Sequence, residues 1–153
     1  MTYSIDIKHK KISNSRFLPE VIRMIGNGHS VTIPLKGYSM RPFLEDDRDK
    51  AILSKVRNLN IGDIALAEIS PKTYVLHRII GINGDNVVLR GDGNIACEHC
   101  RLSDIKAIAT GFYRKGSNKP CLTSSRKWKA YSWIWTRLYP IRRYLLFIYR
   151  ITL

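Results

Sequence analysis

From His29 to Arg114 the chain breaks into short β-rich runs, each ended by a turn signal, and this rhythm limits what it can fold into. The runs are Ser30 to Leu35, Ala51-Ile52-Leu53, Asp63 to Ile69, Thr73 to Gly81, Asn86 to Arg90 and Lys106 to Arg114. Between them stand Glu45-Asp46-Asp47, Asn60-Ile61-Gly62-Asp63, Pro71-Lys72, Asn83-Gly84-Asp85 and Gly91 to Asn94. Asn83-Gly84 between two β-rich runs predicts a tight hairpin, because both residues reach the left-handed backbone such turns need. Many short strands with frequent turns predict a mainly β (α+β) protein built on a compact, coiled, half-open antiparallel sheet.

Helical periodicity appears only at the ends. Phe17, Leu18, Val21, Ile22 and Ile25 recur at helical spacing, which predicts a short helix from Ser15 to Ile25. Ser15 would cap it, Pro19 is tolerable only in its first turn, and Gly26-Asn27-Gly28 would stop it. Lys115 to Ser125 is rich in Gly, Ser, Pro and Lys and reads as a linker. Beyond it Trp128, Tyr131, Trp135, Leu138, Ile141, Leu145 and Ile148 form a helical stripe, with Arg137, Arg142, Arg143 and Arg150 off it. Pro140 should split this tail into two short helices. The expected organisation is an N-terminal segment and helix (1–28), a β domain (29–115), a linker (116–125) and a basic aromatic tail (126–153).

Charge follows the same division. Residues 1–104 hold fifteen Lys/Arg and all twelve acids, whereas residues 105–153 hold eleven Lys/Arg and no acid. The basic balance therefore belongs to the tail. The tail could pack its stripe on the β domain or lie on an anionic membrane surface, where Trp, Tyr and Arg are favoured. Nucleic acid is disfavoured, because the stripe carries more apolar area than a phosphate-binding tail needs. Met1 to Asn14 lacks an apolar signal-peptide core, and no window offers eighteen uncharged apolar residues. A cytoplasmic or peripheral membrane location is expected. Cys97 and Cys100 form one C-x-x-C, at most half a zinc site, and are expected to be free thiols in a loop; no metal is expected, and the odd count that Cys121 makes favours a reducing compartment.

Chemistry concentrates in four ordered boxes: Gly37-Tyr38-Ser39-Met40-Arg41-Pro42, Ile61-Gly62-Asp63-Ile64, His77-Arg78-Ile79-Ile80-Gly81 and Arg90-Gly91-Asp92-Gly93-Asn94. A serine hydroxyl needs a nearby base to act as a nucleophile, and a histidine can supply one at neutral pH. The boxes, spanning roughly residues 30 to 115, resemble the signal peptidase I/LexA-like superfamily of serine peptidases. The resemblance implies that Ser39 stands in the nucleophile box. Its bacterial signal peptidases and LexA-like repressors carry a lysine where this chain has His77. That substitution resembles the Ser-His branch of endoplasmic-reticulum and archaeal signal peptidases. By the same resemblance Asp92 matches an aspartate needed for activity, and Glu98 falls near the place of a second acid that is usually Asp.

The resemblance implies a limited cut in a peptide or precursor protein, with no cofactor. Ser39 would attack, His77 would move the proton, and Asp92 would hold the imidazole or shape the site around it. The Ser39 backbone N–H would meet the oxyanion, and Gly37 and Tyr38 would flank the substrate's approach. The substrate would be an extended segment with small side chains near the cut. Two other readings remain open at this level. One is a catalytically inactive peptide-binding module of the same fold, at a membrane surface. The other is a self-cleaving regulator, which the strand-like character of the small-residue segment Ala107-Ile108-Ala109-Thr110-Gly111 disfavours.

Overall fold

The computed structural model describes residues 2–3 and 14–153, with side chains from Arg16 onward. Residues 1 and 4–13 and the side chain of Ser15, expected to cap the first helix, lie outside this description. All six expected runs are strands of one sheet: β2 (Ser30–Pro34), β3 (Lys50–Ser54), β4 (Ile64–Ser70), β5 (Thr73–Asn83), β6 (Asn86–Arg90) and β8 (Ile105–Tyr113). Three further strands were not expected: β1 (Thr2–Tyr3), β7 (Glu98–Arg101) and β9 (Cys121–Leu122). The spatial order is β1-β2-β3-β8-β4-β5-β6-β7, with β9 also on β8. Every pairing is antiparallel except β1 with β2. The protein is thus mainly antiparallel β, with helices at its two ends.

The β5–β6 hairpin turns through Gly84-Asp85 between paired Asn83 and Asn86, with Gly84 at φ 58°. Register shifts at Ile52/Leu53, Leu66/Ala67, Glu68/Ser70 and Ile79/Gly81 interrupt the ladders and increase their twist. The sheet consequently buries apolar residues on both faces. In β4, Ile64 and Leu66 join one cluster with Val31, Leu53, Phe112 and the α1 residues Leu18, Val21 and Ile25, where α1 spans Asn14–Gly26. Their alternating neighbours Ala65 and Ala67 face a second cluster with Ile79, Val87, Leu89 and Ile105. Pro19 is the sixth residue of α1, beyond the first turn, and its ring lies on the exposed side.

The tail is two helices, α2 (Arg126–Arg137) and α3 (Arg142–Ile151), separated at Tyr139–Ile141 by a single 3-10 turn containing Pro140. Ser125 caps α2, its Oγ accepting from Trp128 N at 3.3 Å. Trp128 enters the core, 4.8 Å from Phe112 and 4.7 Å from Phe43 between ring centroids. Trp135 and Leu146 are also buried. The single stripe expected across both helices is corrected beyond the break. Ile141 and Ile148 face outward, whereas Arg142 is buried. The 3-10 turn resets the 3.6-residue phase, so the buried face of α3 restarts from Arg142. No helix among the described residues is long and apolar enough to cross a membrane.

Cys97 is exposed, Cys100 is buried on β7 opposite Val87, and Cys121 is half-buried; all three are free thiols. Burial raises the Cys100 thiol pKa, with the Asp104 charge adding to the effect.

One buried carboxylate fixes the long connection from β2 to β3. Asp49 accepts from Glu45 N at 3.0 Å and Lys115 N at 2.9 Å, and from the Arg48 guanidinium at 2.8 and 2.7 Å. Burial pushes its carboxyl pKa up, but Arg48 and the two backbone donors outweigh that and hold it below the ordinary value. A depressed folded-state pKa stabilises the protein above the unfolded carboxylate range, and that stabilisation is lost as pH falls through the folded value. Asp49→Ala is expected to cost about 2–4 kcal/mol at neutral pH. Urea unfolding should show this deficit shrinking in acid, as the wild type loses the same contribution.

Candidate active site

Ser39 lies in the β2–β3 connection, just past Gly37, which adopts φ 82° and donates its N–H to Asp46 Oδ1 at 2.7 Å. Arg41 N donates to Tyr38 O at 3.2 Å and Leu44 N to Met40 O at 3.2 Å, so Ser39 sits inside a wound turn. This turn rests on the Gly91–Asn94 turn after β6. Gly93 N donates to Ser39 O at 2.7 Å. A Cβ on Gly91 would stand 2.4 Å from Ser39 O, and one on Gly93 would stand 2.7 Å from Tyr38 O. Both glycines are required because the two turns touch backbone to backbone.

His77 lies on β5 with only 4% of its surface exposed. Its Nδ1 is 2.8 Å from Glu98 Oε2 at the start of β7. The pairings of β5 with β6 and β6 with β7 carry Glu98 across the sheet to it. In the neutral tautomer that donates from Nδ1 to the Glu98 carboxylate, Nε2 is the acceptor. Nε2 has no hydrogen-bond partner among the described residues, and the side chain is only 5% exposed. A direct Ser39–His77 hydrogen bond is not formed.

Asp92, expected to hold the imidazole or shape its surroundings, is held by Arg78. Arg78 Nε donates to Oδ1 at 2.8 Å and Nη2 to Oδ2 at 2.7 Å. Successive strand residues point to opposite faces, so His77 and Arg78 divide the two acids between them. Glu98 goes to the imidazole and Asp92 to the guanidinium.

The Arg78–Asp92 pair is almost fully buried. Arg78 Nη1 also donates to Gly62 O at 3.0 Å and Ser132 Oγ at 2.8 Å. Burial alone would lower the arginine's pKa, but the Asp92 hydrogen bonds and charge raise it overall. Tyr131 Oη donates to Asp92 Oδ2 at 3.1 Å and Trp135 Nε1 to Asp92 O at 2.9 Å. Burial, followed by the Asp92 charge, drives the Tyr131 phenol far above its usual pKa, so it remains a donor.

Reading the tail as a separate unit missed Tyr131, Ser132 and Trp135, which all touch this pair. Their helical spacing was visible, but their polar partners lie about forty to fifty residues earlier in the chain. Tyr38 is exposed, with the Arg41 guanidinium 4.1 Å from its ring centre. Arg41 pairs with Glu45, which also accepts from Tyr149 Oη of α3 at 3.2 Å. No grouping of three or more metal-ligating side chains exists among the described residues.

No protein-family model matches the chain, and no curated protein matches it.

Asp92→Asn should act first on folding, because it leaves Arg78 buried without its countercharge. A loss of about 3–5 kcal/mol is expected by denaturant titration. A variant as stable as the wild type would show that the pair does not hold the turn.

Proposed function

We propose that the chain is a serine endopeptidase of the signal peptidase type, making a limited cut in a peptide or precursor protein. The observation that carries this reading is the His77–Glu98 contact. It orients a buried imidazole whose Nε2 has no hydrogen-bond partner among the described residues, in a protein whose Ser39 rests on the turn after β6. Ser39 Oγ attacks the scissile carbonyl carbon while Nε2 accepts its proton. The imidazolium, stabilised by Glu98, then donates that proton to the leaving amine. The acyl-enzyme is hydrolysed by water activated at the same nitrogen. The Ser39 backbone N–H, which donates no hydrogen bond among the described residues, is the local oxyanion donor. Asp92 is a positioning residue that fixes the Gly91–Asn94 turn on which Ser39 rests.

The second half of the reading concerns location. Trp128 and Trp135 are engaged in the core and are withdrawn from the membrane contact expected of the whole tail. Trp133 and Ile134 of α2 remain exposed, as does the outward face of α3, where Tyr144, Phe147, Ile148 and Ile151 recur at positions i, i+3, i+4 and i+7. Arg143 and Arg150 flank this stripe, and no acidic residue follows Asp104. An anionic lipid surface complements both its apolar and its cationic groups, whereas a second copy would bring like charges together.

A peptide library with small residues around a central bond tests the chemistry. Wild type should release fragments, Ser39→Ala none, and Glu98→Gln should lower kcat by about a hundredfold or more. Equal cleavage by Ser39→Ala overturns the peptidase reading. Binding without cleavage by wild type supports the inactive peptide-binding module.

Vesicle flotation tests the location. Full-length protein should float with phosphatidylcholine–phosphatidylglycerol vesicles and not with phosphatidylcholine alone, and Phe147→Glu/Ile151→Glu should abolish flotation. Unchanged flotation of the variant, or salt-insensitive binding, counts against the lipid contact. Concentration-dependent dimerisation that the variant abolishes would instead assign this face to a second copy.

A further inference from the structure

Where the tail meets β6, two further arginines are buried without a salt bridge among the described residues. Arg90, at the end of β6, is 7% exposed, and Arg142, at the start of α3, is 2% exposed. The Nε atom of each is buried with no hydrogen-bond partner. Arg142 Nη2 makes one hydrogen bond, to Trp135 O at 3.1 Å. Both guanidinium groups face the Tyr139 ring, with their central carbons 3.9 Å and 5.6 Å from its centroid. Burial and then the Arg90 charge depress the Arg142 pKa, so each cation destabilises the other. Arginine cannot relieve this by losing its proton.

The Asp92 charge offsets part of this at Arg142 but does not outweigh it. The Asp92 carboxylate oxygens already accept from Arg78 and Tyr131. Beside Arg142 lies a cavity of about 190 Å³ lined by Ile95, Tyr139, Pro140, Arg142 and Arg143. Ile95 belongs to the β6–β7 connection, the segment between Asp92 and Glu98. The cavity therefore adjoins the same chain segment that supplies both acids of the candidate active site. Its lining residues are a tyrosine, a proline, an isoleucine and two arginines, the residue type whose guanidinium fork matches a planar carboxylate.

We propose that this cavity is a carboxylate-binding subsite that takes an acidic side chain of a peptide, with Arg142 as its principal ligand, Arg143 at its mouth and Arg90 behind Tyr139. The methylene groups of a glutamate would pack on Tyr139, Pro140 and Ile95 while its carboxylate neutralises the arginines. Binding a carboxylate requires only the cavity. That the peptide is also the substrate rests on the peptidase reading above.

The direct test is thermal unfolding of the full-length Ser39→Ala variant in low-chloride buffer with N-acetyl-glutamate α-amide, N-acetyl-glutamine α-amide or inorganic phosphate. The glutamate compound should raise Tm in a saturable way, as a ligand of the native state must, and its neutral glutamine analogue should not. Adding Arg142→Met should remove the effect. Adding Arg143→Gln, at an exposed position, should weaken it while circular dichroism remains native; this arm serves if Arg142→Met fails to fold. Equal stabilisation by the glutamine analogue, persistence of the glutamate effect in both arginine variants, or a larger effect from phosphate would overturn the carboxylate assignment.

A second arm compares cleavage by wild type of library peptides bearing Glu or Gln beyond the cut. At least a tenfold higher kcat/KM for Glu is expected, with the preference lost in Arg143→Gln. Glutamate-specific binding without any cleavage would retain the subsite and remove the peptidase reading. Cleavage with no Glu preference and no glutamate-specific Tm rise would remove the subsite and retain the peptidase.

Discussion

The buried Arg78–Asp92 pair is the contact around which the site is assembled. Two charges withdrawn from water are costly unless their remaining donors and acceptors are also satisfied. Gly62 O, Ser132 Oγ and Tyr131 Oη meet that requirement. Consequently β5, the turn after β6, the turn before β4 and α2 are tied at one point. Ser39 inherits its position through this network, because its carbonyl accepts from Gly93 next to Asp92. The ion pair contributes geometry for the Ser39 loop, while the His77 imidazole has an acid of its own in Glu98.

The C-terminal helices form a strap over the two loops of the site. α2 reaches the Asp92 turn through Tyr131 and Trp135, and α3 reaches the Ser39 loop through Tyr149 and Glu45. Arg142 joins the helices by donating to Trp135 O. The tail thus contributes to core packing, to screening of the ion pair and to the walls of a cationic cavity. Its outward stripe on α3 is separate from all three. Amphipathic packing explains only one apolar face on a helix, and α3 has two.

The strand runs were legible because turn residues and β-branched positions are local signals, and bounds such as Asn86–Arg90 follow from them directly. β7 was missed because Glu98-His99-Cys100-Arg101 has no β-branched residue and acquires its strand form by pairing with β6. Ser39, His77 and Asp92 stood out as candidate site residues from their ordered boxes, and Glu98 from its place a few residues beyond the last of them. Which acid meets which base could not be read from them, since it depends on strand alternation and on the approach of β7. The phase of α3 was misread because one turn of 3-10 helix at Pro140 carried Arg142 inward and Ile148 outward.

The sequence by itself determined a β-rich protein with short helices at its ends, the order of its chemical boxes and a strongly basic terminal segment. Those properties arise from local backbone preference, side-chain periodicity and composition, which do not depend on distant neighbours. Tertiary structure decided the pairing of His77 with Glu98 and Arg78 with Asp92, the entry of Trp128 into the core, and the convergence of Arg90 and Arg142 on Tyr139. Each joins residues from separate elements, so it depends on strand register and on where the tail docks, neither of which a local pattern specifies.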